Sequence, residues 1–395
     1  MPTITIRPVR GEELLEATLL LASYAFFPTP PLASLEARRE RVTEFDSKTN
    51  RVLFEDERPV AAITSTPMTQ NVRGQIYPMG ALGDVVTLPE SRRKGYARQL
   101  FTAIMDTMPA EGVVFSGLYP FRPSFYERLG YVSFPYMRIV SFSPAVLQPL
   151  LDWNLGGQVE RMLIADGFDT YRAFARRCQP NVHGMALFAD AVAQHRQKKR
   201  NQEWLALARF EDEVVGALLY RLTDFRDRMQ VSHFLYHTNR GKYLLLEWFA
   251  RHIDQVNTIE LWLPHSECPE TWLPDLQPQL RLPEFDYDAM GRIVDVARIG
   301  GMATGPGCFS AQINDPFCPW NTGRYRFETV DGVLQVSQTK TADCELTIQG
   351  LSALVYGTHA LGDFTFLGWG HLSPELQATL RTMFPPMQPY LYEQY

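Results

Sequence analysis

The apolar positions of the first 145 residues switch repeatedly between alternation, which suits strands, and a helical spacing of three to four. Residues 3–7 alternate apolar and polar and predict a strand. Residues 12–26 carry Leu15, Leu19, Leu20 and Ala22 along one stripe and predict a helix. Residues 52–54 and 60–67 predict paired strands that turn through the charged Glu55-Asp56-Glu57-Arg58, and 77–88 predict a further strand closed by Pro89. An amphipathic helix at 96–108, a buried strand at 112–118, a short helix at 124–129 and a last strand at 131–142 follow. Strands and helices mixed in this order predict an α+β or α/β fold with a mixed central sheet.

Part of this pattern returns. Phe54-Glu-Asp-Glu57 followed by Val60-Ala-Ala62 recurs as Phe210-Glu-Asp-Glu213 followed by Val215-Gly-Ala217. Residues 91–100 read SRRKGYARQL, and residues 239–248 read NRGKYLLLEW. The matches keep their order, with offsets of 210 − 54 = 156 and 240 − 92 = 148, and a shorter loop between strands of the second copy would absorb the difference. An acidic turn such as FEDE is common, but two matched signals in one order favour an internal duplication. The texture changes at about residue 288. Residues 293–298, 323–330, 333–338 and 345–349 predict short strands between Gly, Asp and Asn turns. Residues 351–356 and 373–383 predict helices, and the tail is rich in proline and aromatics. The expected domains are therefore 1–145, 146–287 and 288–395, the last an α+β module without a recognisable catalytic motif.

At 395 residues the chain is too long for one ordinary core. Its 45% hydrophobic and 21% charged residues are those of a soluble globular protein. With 38 basic against 44 acidic residues, net −6, it lacks the basic excess of a nucleic-acid-binding protein. No apolar run reaches the roughly 18 residues of a membrane span, and the opening MPTITIRPVR lacks the apolar core of a secretory signal. Neither nucleic acid nor membrane is an expected partner. Cysteines 178, 268, 308, 318 and 344 form an odd set without a C-x-x-C pair, so neither a disulfide framework nor a metal is expected and a cytoplasmic location fits. Every histidine lies beyond residue 180, so chemistry in the first domain proceeds without its own imidazole.

The chemistry-bearing stretch is 88–98. A strand ends at Leu88-Pro89, three cations follow, and Gly95 and Ala97 open a helix. First-turn N–H groups of a helix are unpaired and the helix dipole is positive there, so such a corner suits phosphate. Gly95 and Ala97 leave room for a pyrophosphate, and Arg92, Arg93 and Lys94 add charge. By itself the pattern also fits a solvated cationic helix start.

TLPESRRKGYARQL (87–100) resembles the acetyl-CoA signature of the GNAT N-acetyltransferases, with Pro89, Arg92, Gly95 and Ala97 in the expected places. Phe125-Tyr-Glu-Arg-Leu-Gly-Tyr131 resembles the second hallmark of that superfamily, F-Y-x-x-L-G-[FY]. NDPFCPWNTGRYRFE (314–328) and GLSALVYGTHAL (350–361) are similar to the sterol carrier protein type 2-like domain that closes the Eis (enhanced intracellular survival) family. The resemblance covers essentially the whole chain. It implies two tandem GNAT-like domains, the second degenerate, followed by a sterol-carrier-like domain. Tyr243 and Leu245, standing where the first copy has Gly95 and Ala97, would fill the pyrophosphate space and leave the second copy as scaffold.

The resemblance further implies acetyl-CoA as cosubstrate and acetyl transfer to a primary amine, either an aminoglycoside-like polyamine or a lysine side chain. Backbone N–H groups around Val85, Val86 and Thr87 would hold the thioester carbonyl and pantetheine amides. The loop from Arg92 through Arg93, Lys94, Gly95, Tyr96 and Ala97 to Arg98 would hold the pyrophosphate, with Phe121 and Arg122 beside the pantetheine. Tyr126 matches the general acid and the carboxylate of the last residue, Tyr395, the general base. The alternative readings from the residues alone are a buried packing tyrosine for Tyr126 and a packed terminus for the aromatic tail. A cationic acceptor favours acidic and aromatic walls, for which Glu393, Tyr24, Phe26 and Phe27 are candidates, although Tyr-Ala-Phe-Phe also reads as the core face of a helix end. His233 and His237 read as structural or surface residues. Homo-oligomers, hexamers included, are the family's habit. The competing class is a non-catalytic protein that senses acetyl-CoA or carries an apolar ligand in its last domain.

Overall fold

The computed structural model describes residues 2–26, 36, 39, 48–199, 202–283 and 288–395; Phe27 and the side chains of Leu19 and Leu20 lie outside the described set. Its strands are β1 (Ile4–Arg7), β2 (Thr49–Glu55), β3 (Arg58–Val72), β4 (Gln75–Thr87), β5 (Phe115–Leu118), β6 (Val132–Ser133), β7 (Arg138–Phe142), β8 (Gln158–Leu163), β9 (Ala186–Phe188), β10 (Trp204–Phe210), β11 (Glu213–Leu222), β12 (Arg228–Tyr236), β13 (Thr258–Leu263), β14 (Gln279–Arg281), β15 (Met290–Ile293), β16 (Cys308–Asn314), β17 (Gly323–Val330), β18 (Val333–Gln338) and β19 (Cys344–Thr347). The helices that matter below are α1 (Gly11–Phe26), α2 (Tyr96–Met105), α3 (Pro123–Glu127), α4 (Ile164–Cys178), α5 (Asn239–Ala250), α6 (Ile348–Tyr356) and α7 (Pro374–Met383). The fold is mixed α/β, as its alternating patterns imply.

Two compact units divide the chain, and they do not follow it consecutively. One comprises Met1–Phe134, Gly184–Val192 and Ala289–Tyr395; the other comprises Pro135–His183 and Ala193–Asp288. In the first unit one sheet runs β1-β2-β3-β4-β5-β15-β6, with β9 beside β3. Neighbours are antiparallel except β4 and β5, which are parallel. Alternation along the strands feeds two cores. Val52, Phe54, Ala62 and Val86 meet Leu14, Leu15 and Leu21 of α1, while Leu53, Ala61 and Ile63 meet Leu100, Phe101 and Ile104 of α2. β3 runs on through Pro67, where the sequence pattern predicts an end. Its pairing with β2 stops at Ser65 and its pairing with β9 begins at Met68, so the missing N–H of Pro67 falls in the gap.

The same unit holds a second sheet, β18-β17-β16-β19, covered by α6 and α7. Thr347 caps α6 by accepting from the Gly350 N–H at 3.3 Å, and Gly357 closes it at φ 72°. At the β3–β4 turn, buried Arg73 donates to the carbonyls of Val355 at 2.7 Å and Pro385 at 3.1 Å, and burial pulls its pKa down to about 10. Tyr356 of α6 packs edge-on against Phe115 and donates to Gln70 Oε1 at 2.8 Å.

The pattern at 293–298 predicts a strand of the last domain. Instead the strand is Met290–Ile293, inserted between β5 and β6 of the first sheet, and Val296–Arg298 is a turn of 3₁₀ helix. The predicted strand 131–142 likewise divides: β6 stays in the first sheet and β7 joins the sheet of the second unit. That sheet runs β14-β7-β13-β12-β11-β10-β8, with β12 and β13 parallel. Counted from the parallel pair, β15 and β7 occupy equivalent places, so each sheet takes this strand from chain that the other sheet's sequence adjoins.

β15 carries a fully buried charge. Arg292, wholly inaccessible, pairs with Asp315 at 2.5 Å and donates to the carbonyls of Leu129 and, at 3.1 Å, Ile293. Burial works against this charge, but Asp315 with Cys318 and Tyr131 outweighs it and raises the guanidinium pKa. Asp315 also accepts from Asn321 Nδ2 at 2.9 Å and from the Cys318 N–H at 3.0 Å. Gln349 adds a bond to the Glu127 carbonyl at 2.8 Å, so residues from the last third of the chain fix the turn 126–131. Breaking a buried pair from one side costs ~3–5 kcal/mol, whereas removing both charges costs far less. Arg292→Met is therefore expected to lower stability by ~3–5 kcal/mol, and Arg292→Met/Asp315→Asn to recover part of it, in urea unfolding followed by tryptophan fluorescence. An Arg292→Met protein that unfolds like the parent would remove the pair from this role.

Candidate active site

β4 pairs with β5 from Met79↔Phe115 to Leu82↔Leu118 and no further. On its other edge β4 continues beside β3 to Ala61↔Thr87, with a bulge where Ala62↔Val86 gives way to Thr64↔Gly83. Asp84 sits in that bulge with φ 49°. From Gly83 to Thr87, then, one edge of β4 has no strand beside it among the described residues. An extended ligand laid along that edge would pair with backbone N–H and C=O groups.

At the end of this edge stands the cationic corner. Gly95 is the N-cap of α2 at φ 82°, and no side chain caps the helix. A Cβ on Gly95 would meet nothing within 4 Å, so the space before the first turn is open. Arg92, Arg93 and Arg98 are exposed. Arg92 Nε donates to the Thr87 carbonyl at 3.4 Å, and Arg93 takes φ 65°. Lys94 is committed differently: its Nζ lies 2.8 Å from Glu55, whose pKa it lowers. Tyr96 is buried, with Lys94 Nζ 5.7 Å from its ring centroid.

The open edge leads into a cleft of about 290 Å³ between β4, β5 and the turn that carries Tyr126. Val85, Phe121, Tyr126 and Tyr395 all line it. Phe101, Phe121 and Phe125 surround the Tyr126 ring, with centroids 5.7, 5.5 and 5.1 Å away. Burial raises the Tyr126 phenol well above its ordinary pKa. Tyr131 is a packing residue: it is fully buried and its hydroxyl lies 2.8 Å from Ser116 Oγ. The Tyr395 ring stands edge-on to Tyr119 at 5.4 Å, and its buried hydroxyl has no hydrogen-bond partner. That hydroxyl reaches β5 beside Gly117, where a Cβ would lie 2.9 Å from it. Gly117 thus leaves the slot into which the ring fits.

Among the remaining candidates, Phe26 lines the cleft, whereas Tyr24 is exposed and does not. Arg122 is exposed at the N-cap of α3. Glu393 is not a cleft wall either, because its carboxylate accepts from the Phe188 N–H at 2.6 Å and ties the tail to β9. The acidic residue in the cleft is Asp84, accompanied by Lys48, and sequence reasoning passed over both. A Gly-Asp step inside a strand pattern is a signal for a bulge and could have marked Asp84. His233 is buried against Tyr171, and His237 is exposed.

The second sheet's corner is built to a different plan. Leu88 and His237 hold equivalent places, donating to the carbonyls of Val60 and Val215 at 2.9 and 3.0 Å. From there to the helix N-cap is 95 − 88 = 7 residues in the first sheet and 238 − 237 = 1 in the second. The cationic loop is missing. Thr238 accepts from the Gly241 N–H at 3.1 Å, and Arg240 lies 3.8 Å from the Phe210 ring centroid. Tyr243 and Leu245 fall past the first turn of α5 rather than opposite Gly95 and Ala97, with Tyr243 packed on Trp153 at 5.5 Å. The acidic turns are also displaced by one residue. The left-handed positions are Asp56 and Glu57 in one and Glu211 and Asp212 in the other, an offset of 211 − 56 = 155.

Residues 5–133 match the acetyltransferase (GNAT) domain family and residues 303–392 the sterol carrier protein domain family. No curated protein matches the chain. Solved structures of the same fold include a GCN5-related N-acetyltransferase from Anabaena variabilis ATCC 29413, 16% identical with a TM-score of 0.86 over 100% of both chains. A probable N-acyltransferase from Enterococcus faecalis V583 is 20% identical with a TM-score of 0.83, again over 100% of both chains. Eis1 from Mycobacterium abscessus is 17% identical with a TM-score of 0.79, over 99% of this chain and 100% of that one. With its uncapped helix and opened β4 edge inside the matched region, the chain is an acetyltransferase of the GNAT type that also carries a sterol carrier protein domain.

Proposed function

We propose that the chain is an Eis-type enzyme that transfers the acetyl group of acetyl-CoA to a primary amine, on a polyamine or a lysine side chain. The observation that carries this reading is the unpaired edge of β4, which runs from the uncapped N-terminus of α2 to the cleft containing Tyr126. The fit is chemical at each point. The first-turn N–H groups of α2 with Arg92 and Arg93 suit a pyrophosphate, the β4 edge suits the amides of a pantetheine arm, and Phe121 covers it. Acetyl-CoA supplies the activated acyl group. The N–H groups about Val85 would stabilise charge developing on the thioester oxygen, worth ~3 kcal/mol for one donor in other acyl transfers. As the C–N bond forms and the C–S bond breaks, Tyr126 would give its proton to the departing thiolate. The carboxylate of Tyr395 would take the proton that the amine sheds. The cleft beside β16 and β19, about 570 Å³ in volume, is lined by polar Gln312, Asn314, Glu345 and His371 and by apolar Leu346 and Trp369.

Acetyl-CoA-dependent release of free thiol over a panel of amines tests the reading, and a chain that binds acetyl-CoA yet acetylates none of them would overturn it. Gly95→Leu should lose acetyl-CoA binding, measured by calorimetry, while stability falls only by the ~1–2 kcal/mol that a side chain costs at this left-handed position. Retained affinity would refute the phosphate corner. Gly117→Ala places a Cβ 2.9 Å from the Tyr395 hydroxyl and 2.4 Å from Met79 Cε. Turnover should fall on the order of 10²-fold with acetyl-CoA affinity kept, as for loss of one acid–base group. An undiminished rate would remove Tyr395 from the mechanism. Tyr126 acts in its protonated form, which lies below its pKa; because burial raises that pKa, the competent form persists into alkaline solution. The rate should therefore climb with amine deprotonation and show no falling limb up to pH ~10, the ordinary phenol value. A descending limb near pH 8 or 9 would assign the acid to another group.

A further inference from the structure

Deepening that reading, and resting on it, we propose that Glu55 is a positioning residue for the phosphate corner. Its carboxylate staples the loop 91–94 to the end of β2 and draws Lys94 out of direct contact with the cosubstrate. Glu55 is the last residue of β2, and the descent from β4 to α2 is tied to it. Lys94 Nζ lies 2.8 and 3.0 Å from its two oxygens, and Ser91 Oγ donates to Oε2 at 3.4 Å. Lys94, with smaller help from the Tyr96 and Ser91 hydroxyls, lowers the Glu55 pKa. The Glu55 side chain is 17% exposed and that of Lys94 43%, so the carboxylate is the sheltered anchor to which the ammonium comes. From the same turn Arg58 meets Glu90 at 2.8 Å. The β2–β3 turn thus holds the descent at both of its ends.

The loop needs such a hold. Arg93 sits at φ 65°, a left-handed conformation that is uncommon for a side-chain-bearing residue and persists where neighbouring contacts over-determine it. No side chain caps α2, so its first-turn N–H groups stay open only while the loop keeps its course. A carboxylate close to an anion site opposes binding through its charge. Glu55 therefore aids the cosubstrate through loop order, and the exposed Arg92 and Arg93 are left to supply the charge. The second copy gives a contrast. Phe210 and Glu55 hold equivalent places, each directly before the left-handed pair of its turn, Glu211 with Asp212 or Asp56 with Glu57. Phe210 offers no acceptor; Arg240 lies over its ring instead, and Thr238 caps the helix. A carboxylate stands at this place beside the open corner and not beside the closed one.

The test measures acetyl-CoA affinity of the full chain by calorimetry, and backbone hydrogen exchange of residues 91–95 without ligand. Glu55→Ala should weaken acetyl-CoA binding about fivefold, as for loss of one partly exposed ion pair. The loss should appear in the acetyl-CoA KM rather than in kcat, with faster exchange in the loop. Lys94→Ala should do the same, and the double variant should be no worse than either single, because all three remove one shared contact. Glu55→Gln keeps an acceptor for Lys94 and Ser91 and should recover most of the affinity. If Glu55 merely kept Lys94 from the phosphates, Glu55→Ala would bind acetyl-CoA more tightly; that result, or an unchanged affinity, in a chain whose wild type binds acetyl-CoA would overturn the positioning role alone. A wild type that does not bind acetyl-CoA would overturn the acetyl-CoA reading and this inference with it.

Discussion

The first unit is organised around the point at which β4 stops pairing with β5. Four residue pairs, ending at Leu82↔Leu118, hold the two strands together, and beyond them the Asp84 bulge keeps β4 with β3 alone. An unpaired strand edge carries backbone donors and acceptors that must find water or a ligand, so it cannot be buried under packed side chains. That requirement keeps the β4 edge from being packed over between Gly83 and Thr87. It also leaves β5 with little support of its own. β15 supplies it from the other side, pairing Met290↔Leu118 through Ile293↔Phe115.

Support of this kind explains why the last third of the chain belongs to the same compact unit as the first. Arg292 reaches the Leu129 carbonyl from β15 only because Asp315, held by Asn321 and two backbone N–H groups, makes its burial tolerable. A buried pair is a weak source of net stability, since each charge loses its water. What it does here is select one arrangement: a slipped β15 would leave a guanidinium without a partner in the core. The turn that carries Tyr126 is thereby referenced to the sterol-carrier-like region, as is the tail whose ring occupies the space left by Gly117.

Local chemistry was legible in the sequence, and long-range partnership was not. The cationic corner could be read because Pro89, three cations, Gly95 and a helical stripe occupy one short window, and helix N-termini act through their own backbone. The sheet strands of the first 88 residues were legible for the same reason, apart from the run of β3 past Pro67, which depended on a gap between two other strands. The exchange of β7 and β15 was invisible because a buried strand reads alike in whichever sheet it lies. Glu393 looked like a cleft acid from its position beside the terminus; a single backbone N–H on β9 turns it elsewhere. Asp84 was passed over because its importance lies in a bulge and in Lys48, 36 residues away.

The two copies finish the same sheet-to-helix junction in two ways. Every helix begins with N–H groups that need partners, and a sheet-to-helix junction buries them unless something polar comes to meet them. In the first copy a seven-residue descent from Leu88 to Gly95 holds the helix start away from the sheet and leaves it without a side-chain cap. In the second, α5 starts directly after His237, Thr238 supplies the cap, and Gly241 lets the helix settle onto the Val215 carbonyl, with no space for a Cβ between them. Arg240 and Lys242 survive, but their charges lie against the rings of Phe210, Tyr236 and Tyr243. The resemblance between SRRKGYARQL and NRGKYLLLEW is thus one of composition at a shared junction, and what separates an open, uncapped helix start from a closed one there is loop length and a single hydroxyl.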